Sequence, residues 1–80
     1  MPVLTVRYFA IFREQARCES EHIETSAETP SGLYEELKRR YGFTLAEGAL
    51  RVAINNEFAL MNSSLVDGDE VAFIAPVAGG

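Results

Sequence analysis

The chain has 80 residues, of which 48% are hydrophobic and 24% are charged, with a formal net charge of −5. A chain this short supports one hydrophobic core, and its apolar content is too high for a disordered segment. Its acidic balance opposes binding to the phosphates of nucleic acid or of anionic lipid, so neither nucleic acid nor membrane is an expected partner.

The beginning of the sequence lacks a basic segment leading into a long apolar run, and no stretch reaches the length of a membrane span. Cys18 is the only cysteine, which rules out an internal disulfide and a cysteine-based metal cluster. We therefore expect a cytoplasmic protein in a reducing compartment.

Two strands are predicted in the first part of the chain. Residues 3–9 alternate with the period of a half-buried strand, and one face then carries Leu4, Val6 and Tyr8. Residues 20–25 form a weaker second strand, with Ile23 as its core residue.

A helix is predicted between Thr29 and Gly42. Thr29 suits the N-cap, Pro30 the first helical position, and Gly42 the left-handed C-terminal cap. Basic residues near its end complement the helix dipole, and one face is apolar: Leu33, Leu37 and Tyr41.

The last third of the sequence predicts three strands. Residues 50–55 alternate with Leu50, Val52 and Ile54 inward, and Asn55-Asn56 suits a two-residue hairpin into residues 57–60. Asp67-Gly68 marks the next turn. Residues 70–75 then alternate, with Val71 and Phe73 inward and Ala72 and Ile74 outward.

The predicted order is strand, strand, helix, strand, strand, strand. This order indicates an α+β protein of the ubiquitin-like β-grasp fold, with one main helix on a mixed sheet of four to five strands. Residues 1–75 would form the domain, and residues 76–80 a flexible C-terminal tail ending in Gly-Gly.

Side chains that could carry chemistry are few. His22 lies among glutamates on a weak strand, and Cys18 has no neighbouring base, so both are interpreted as structural or solvated residues. Asp67, Asp69 and Glu70 resemble a metal cluster, yet turn chemistry explains them. No metal site and no permanently bound cofactor is expected.

The predicted reactive group is the carboxylate of Gly80, at the end of the tail. Two glycines without Cβ atoms can pass through a narrow channel that would exclude side chains, and they would deliver the carboxylate to another protein. The other residues expected to insert are Pro76, Val77, Ala78 and Gly79.

A partner surface is predicted on the face of the sheet opposite the helix. Alternation places three apolar residues there, and a fourth lies beyond the Asn-Asn turn: Phe9, Ala72, Ile74 and Phe58. Exposed apolar patches on small acidic proteins usually mark such surfaces. Simple coverage of the sheet edges is the alternative.

Three segments resemble one family: residues 9–14 (FAIFRE), 52–55 (VAIN) and 67–80 (DGDEVAFIAPVAGG). The chain resembles the family of molybdopterin synthase small subunits along its whole length, and least over residues 18–27. That family commonly ends Pro-Pro-Val-Ser-Gly-Gly or Pro-Pro-Val-Thr-Gly-Gly, whereas Ala75 and Ala78 stand here.

The resemblance implies a carrier whose Gly80 carboxylate is adenylated and then thiocarboxylated. Implied partners are an adenylyltransferase of the ubiquitin-activating type that consumes ATP, a sulfur donor protein, and the large synthase subunit, in a heterotetramer of two small and two large subunits. The thiocarboxylate would donate sulfur to cyclic pyranopterin monophosphate. The chain itself would be a non-catalytic subunit, since the resemblance assigns the catalytic side chains to the large subunit.

Two alternatives stay open from the sequence. A β-grasp carrier ending in Gly-Gly could instead serve the thiazole branch of thiamine synthesis or tRNA thiolation. A ubiquitin-like modifier joined to lysines through Gly80 is the other alternative.

Overall fold

The structure is a computed structural model that describes residues 2–76. A single turn of 3₁₀ helix, Glu47–Ala49, lies ahead of the third strand. The other elements are, in chain order, β1 (Val3–Tyr8), α1 (Ile11–Ala16), β2 (Ser20–Glu24), α2 (Pro30–Tyr41), β3 (Arg51–Ile54), β4 (Glu57–Ala59) and β5 (Glu70–Ile74).

The strands form one five-stranded sheet in the order β2-β1-β5-β3-β4. β1 and β5 pair in parallel, and the other three pairs are antiparallel. β5, late in the sequence, therefore lies at the centre of the sheet with a hydrogen-bonded neighbour on each side. The predicted fold class, a β-grasp with one main helix on a mixed sheet, is confirmed.

The hydrophobic core lies between α2 and one face of the sheet. The predicted inward residues of β1, β2 and β5 are buried, as are Leu33 and Leu37 of α2 and Leu50 and Val52 at β3. Ile54 and Tyr41 were also predicted inward and are half-buried at the edge of the core. An aromatic cluster extends the core toward the α2 C-terminus, and its members are Tyr8, Phe12, Tyr34, Tyr41, Phe43 and Phe73.

Both predicted caps of α2 are present. The Thr29 hydroxyl accepts a hydrogen bond from the Gly32 amide at 3.2 Å, which satisfies one free N–H of the first turn. Gly42 adopts φ +73°, and its amide donates to the Lys38 carbonyl at 2.8 Å. The Thr29 side chain therefore sets the start of α2, and the left-handed conformation of Gly42 sets its end.

The predicted hairpin turn is confirmed by its backbone angles. Asn55 and Asn56 adopt φ of 53° and 70°, the left-handed values that a type I′ turn requires at both central positions. Gly68 adopts φ +90° in the predicted turn before β5. The Asn55-Asn56 turn fixes the register of β4 on β3.

The short helix α1 was not predicted from the sequence. Its six residues span fewer than two turns, too few for a helical period to be recognised. Phe12 is fully buried from this helix, and Arg17 ends it in the left-handed conformation, at φ 64°. The segment after β1 is thus part of the core rather than a simple turn.

The predicted boundary between domain and tail falls at the edge of the described residues. Ala75 packs partly against the core and Pro76 is exposed, while Val77, Ala78, Gly79 and Gly80 lie outside the described residues. The division after residue 75 stays a prediction. Within residues 2–76, no helix has the length and apolarity needed to cross a membrane.

Candidate functional site

The candidate site is the face of the sheet that α2 leaves uncovered. Side chains alternate along each strand, so the residues between the buried positions of β1, β3 and β5 point to this outer face. The strand registers align Arg7 with Ala72, Ala72 with Ala53, and Ala53 with Phe58 in one row across four strands. Small side chains at its centre therefore lie between larger ones at its ends.

This row belongs to a shallow depression of about 240 Å³, which we call the outer-face depression. Its lining residues are Arg7, Phe9, Ala53, Asn56, Phe58, Glu70, Ala72 and Ile74. The four residues predicted for the partner surface all line it, so the structure places them together. Their role as a partner interface stays a prediction.

Two aromatic rings border the outer-face depression and are open to solvent. Phe58 is 74% exposed and Phe9 44% exposed, whereas Ala72 and Ile74 are half-buried between them. A large aromatic group held this far out of the core contributes little to folding. It remains available to bury against another molecule.

Charge within the outer-face depression is largely compensated. The Arg7 guanidinium lies 3.4 Å from a Glu70 carboxylate oxygen and 5.6 Å from the centre of the Phe9 ring. The carboxylate neutralises the cation, and the ring face attracts it. The surface offered here is therefore apolar in character despite its two ionised groups.

A second depression, of about 180 Å³, lies beside the end of β5 and is called the tail-side depression. It is lined by Ala49, Arg51, Ile74, Ala75 and Pro76. Ile74 lines both depressions, so the two form a continuous surface. The last described residues of the chain therefore run along this surface.

β5 anchors the point from which the predicted tail continues. Val71 and Phe73 are fully buried, and the strand is paired on both sides. Such a strand is among the last parts of a small domain to open. Of the predicted inserting residues, only Pro76 belongs to the described part of the chain, and it is exposed.

The other residues considered from the sequence have local structural roles. His22 is exposed, and its Nδ1 lies 3.1 Å from the Thr5 hydroxyl. Burial, and secondarily the Glu21 carboxylate, raise the pKa of the Cys18 thiol, which disfavours the reactive thiolate. Neither residue lines the outer-face or tail-side depression.

Asp67 and Asp69 support turns, as predicted, whereas Glu70 is the first residue of β5 and its side chain pairs with Arg7. Asp67 accepts a hydrogen bond from the Val3 amide at 2.7 Å, and Asp69 accepts from Val66 and Asn55 at 2.9 Å each. No group of three or more His, Cys, Asp or Glu residues within 2–76 is arranged to hold a metal ion.

Several residues of the site were not selected from the sequence: Arg7, Ala49, Arg51, Ala53, Asn56, Glu70 and Ala75. The two-residue period already placed Arg7, Arg51 and Ala53 on the outer face. What the period does not supply is the order of the strands, and that order brings β1, β3 and β5 side by side.

The fold and the site define a ubiquitin-like β-grasp protein with an exposed apolar surface beside its last strand. The ThiS family matches residues 6–80. The molybdopterin synthase sulfur carrier subunit of Haemophilus influenzae is 33% identical over 98% of this chain and 100% of its own length. The chain belongs to the ThiS family, and the resemblance to molybdopterin synthase small subunits is confirmed.

Solved structures agree with this assignment. A Pyrococcus furiosus protein described as a candidate subunit 1 of the molybdopterin converting factor has a TM-score of 0.79 and 30% identity, covering 96% of this chain and 100% of that one. Another is a chain of the complex of molybdopterin-converting factor subunits 1 and 2 from Helicobacter pylori, with a TM-score of 0.67 and 28% identity, covering 98% of this chain and 99% of that one.

Proposed function

We propose that this protein is the sulfur-carrier subunit of a cytoplasmic molybdopterin synthase. Its Gly80 carboxylate is adenylated and thiocarboxylated, and then donates sulfur to cyclic pyranopterin monophosphate to form molybdopterin. Its partners are the large synthase subunit, with two copies of each subunit in the assembly, an activating adenylyltransferase and a sulfur donor protein. The names of the relatives support the carrier role, and the Helicobacter pylori complex supports the large subunit as a partner.

The observation that carries the proposal is the position of β5. This strand is held at the centre of the sheet, and its C-terminal end lies between two apolar depressions on an otherwise acidic protein. A partner that binds both depressions receives the following residues from a fixed origin. Fixing the origin of a short segment restricts where its reactive end can lie, which favours transfer to a single position.

The proposed chemistry balances around the Gly80 carbonyl carbon. A carboxylate oxygen attacks the α-phosphorus of ATP and releases pyrophosphate, which gives an acyl adenylate. The terminal sulfur of a persulfide on the donor protein then attacks the carbonyl carbon, and AMP leaves to give an acyl disulfide. A thiol attacks the donor's sulfur of that disulfide, forms a new disulfide with it, and releases the thiocarboxylate. The sulfur of the thiocarboxylate is the nucleophile that attacks the pterin precursor. ATP is consumed by the activating enzyme and is not a resident cofactor of the carrier.

The catalytic side chains are assigned to the large subunit. The polar groups that line the outer-face depression are the Asn56 amide and the ion pair between Arg7 and Glu70. A general base and an oxyanion site are needed for acyl chemistry. This surface is suited to binding, and the chain then supplies the reacting terminus.

The direct test is a reconstitution with purified proteins, followed by intact mass. Incubation with an activating adenylyltransferase, ATP and a sulfur donor should replace one oxygen by sulfur, and the added mass should map to Gly80. Adding the large subunit and the pterin precursor should remove that sulfur and produce molybdopterin. A carrier that gains sulfur but transfers it only to a thiazole or tRNA system supports the other carrier pathways. A lysine-linked conjugate supports the modifier.

Phe58→Glu is expected to weaken binding to the large subunit by about thirtyfold or more. Aromatic anchors of an interface commonly contribute about 2 kcal/mol, and a buried unpaired carboxylate adds a penalty. Because Phe58 is 74% exposed in the free protein, its melting temperature should change by only about 4 °C or less. Calorimetric titration and a thermal melt measure the two effects.

Val66→Glu is the matched control for Phe58→Glu. Val66 is also exposed and apolar, and it lines neither depression. Its replacement by glutamate changes the net charge by the same amount as Phe58→Glu. Its affinity should stay within about twofold of the parent. Equal losses in the two variants, or early melting of Phe58→Glu, would contradict the assignment of the outer face to the partner.

Gly79→Val is expected to reduce sulfur transfer by about a hundredfold with the fold intact. A β-branched side chain adds width to a segment that has to enter a narrow channel, and a small misplacement of the reacting atom is costly. Transfer rates and a melting curve measure the effect. A fully active Gly79→Val protein would show that the passage is wide.

A further inference from the structure

The tail-side depression carries a positive charge, which distinguishes it from the outer-face depression. Arg51 is exposed on β3, and its register partner on β5 is Ile74, the residue that lines both depressions. Arg51 therefore lies at the border of a continuous apolar surface, beside Ala75 and Pro76, from which the chain continues toward Gly80.

The two arginines of this face differ in their partners. Arg7 forms an ion pair with Glu70 at 3.4 Å, whereas Arg51 forms no ion pair within 4.0 Å with another residue in the range 2–76. The carboxylate of Glu47, in the 3₁₀ turn ahead of β3, accepts a hydrogen bond from the Ser31 hydroxyl at 2.7 Å. The Arg51 side chain is therefore open to pair with a carboxylate of another molecule.

This difference constrains the chemistry of whatever covers the surface. Apolar contact over Ile74, Ala75 and Pro76 would remove water from the neighbourhood of Arg51, and an unpaired guanidinium loses solvation when that happens. A carboxylate placed opposite would compensate that loss, and the lower dielectric would strengthen the pair. Elsewhere the chain has a net negative charge, which repels an acidic partner.

We infer that Arg51 determines the specificity of docking beside the tail: it pairs with a carboxylate of the large subunit that lies next to an apolar side chain filling the tail-side depression. The outer-face depression, with its charge already compensated, takes apolar groups only. This inference rests on the proposed function, because it assigns the chemistry of the same partner's surface. The pair aligns the two proteins where the chain leaves the sheet.

The test compares three carriers in titrations against the large subunit at low and high salt. Arg51→Glu should weaken binding about tenfold or more at low salt, because it places two carboxylates against each other in a partly dehydrated contact. Arg51→Gln, which removes charge without reversing it, should weaken binding about two- to fivefold. Both differences should shrink at high salt, because ions screen the pair.

Arg39→Glu is the matched control for the change in net charge. Arg39 is exposed on α2, which lies on the other face of the sheet, and its replacement changes the total charge by the same amount as Arg51→Glu. Only the Arg51 variants should lose affinity beyond about twofold. Equal losses for Arg39→Glu and Arg51→Glu would overturn the inference, because they would report long-range repulsion.

Two further outcomes separate this inference from the proposed function. If the parent chain binds the large subunit and transfers sulfur while both Arg51 variants bind as tightly as the parent, the Arg51 pairing is wrong and the carrier role stands. If the parent chain neither binds the large subunit nor transfers sulfur, the proposed function fails, and the Arg51 pairing fails with it.

Discussion

Deletion of Gly80 is expected to abolish sulfur transfer while leaving the folded domain unchanged. The reacting carbonyl would be withdrawn by a whole residue, about 3.3–3.6 Å of extended chain, and a misplacement of 1 Å can already cost about a hundredfold in rate. Adding one residue after Gly80 should also abolish transfer, because the reacting carbonyl would then extend one residue too far. Molybdopterin formation in the reconstituted system measures both variants.

The fold is expected to tolerate both changes because the core ends earlier in the chain. The last fully buried residue of β5 is Phe73, and Pro76 is already exposed. Thermal melts of the two variants should therefore superimpose on the parent. Ala78→Ser, which introduces a residue common in the family at that place, is the tail control and should keep full activity. Measurable transfer by either length variant would refute the role of Gly80.

Val71→Glu is expected to unfold the domain. Val71 is fully buried on the central strand, in a core cluster made largely of apolar side chains. Protonating a glutamate with an ordinary pKa of about 4.3 costs about 4 kcal/mol at pH 7. Lost burial and an unpaired carboxyl add about 3–5 kcal/mol more, and small domains have only about 5–15 kcal/mol in total.

Ala72→Glu is the matched control on the neighbouring position. Ala72 points to the outer face, where a carboxylate can reach solvent, so its melting temperature should fall by no more than about 8 °C. Circular dichroism should show a cooperative transition for Ala72→Glu and none for Val71→Glu. A folded Val71→Glu domain would show that the inward and outward faces of β5 have been exchanged.

Three local features follow from residues that are close together in the sequence: the buried face of β5, the ends of α2 and the hairpin turn. The alternation in β5 fixes which side chains are buried, because side chains on a strand point to opposite faces. Thr29 and Gly42 fix the ends of α2 through one hydrogen bond and one left-handed residue. Asn55-Asn56 fixes the hairpin, since few residues adopt two consecutive positive φ angles.

Only the tertiary structure decided which strands lie next to each other. β1 and β5 are separated by more than sixty residues and yet pair in parallel, a contact that no local pattern encodes. The same holds for α1, whose six residues gain stability from burying Phe12 in the aromatic cluster rather than from helix propensity. Likewise, the outer-face depression exists because strand order places Arg7, Ala53 and Ala72 side by side. Residues distant in sequence meet through the burial of a shared core, and that is a property of the whole chain.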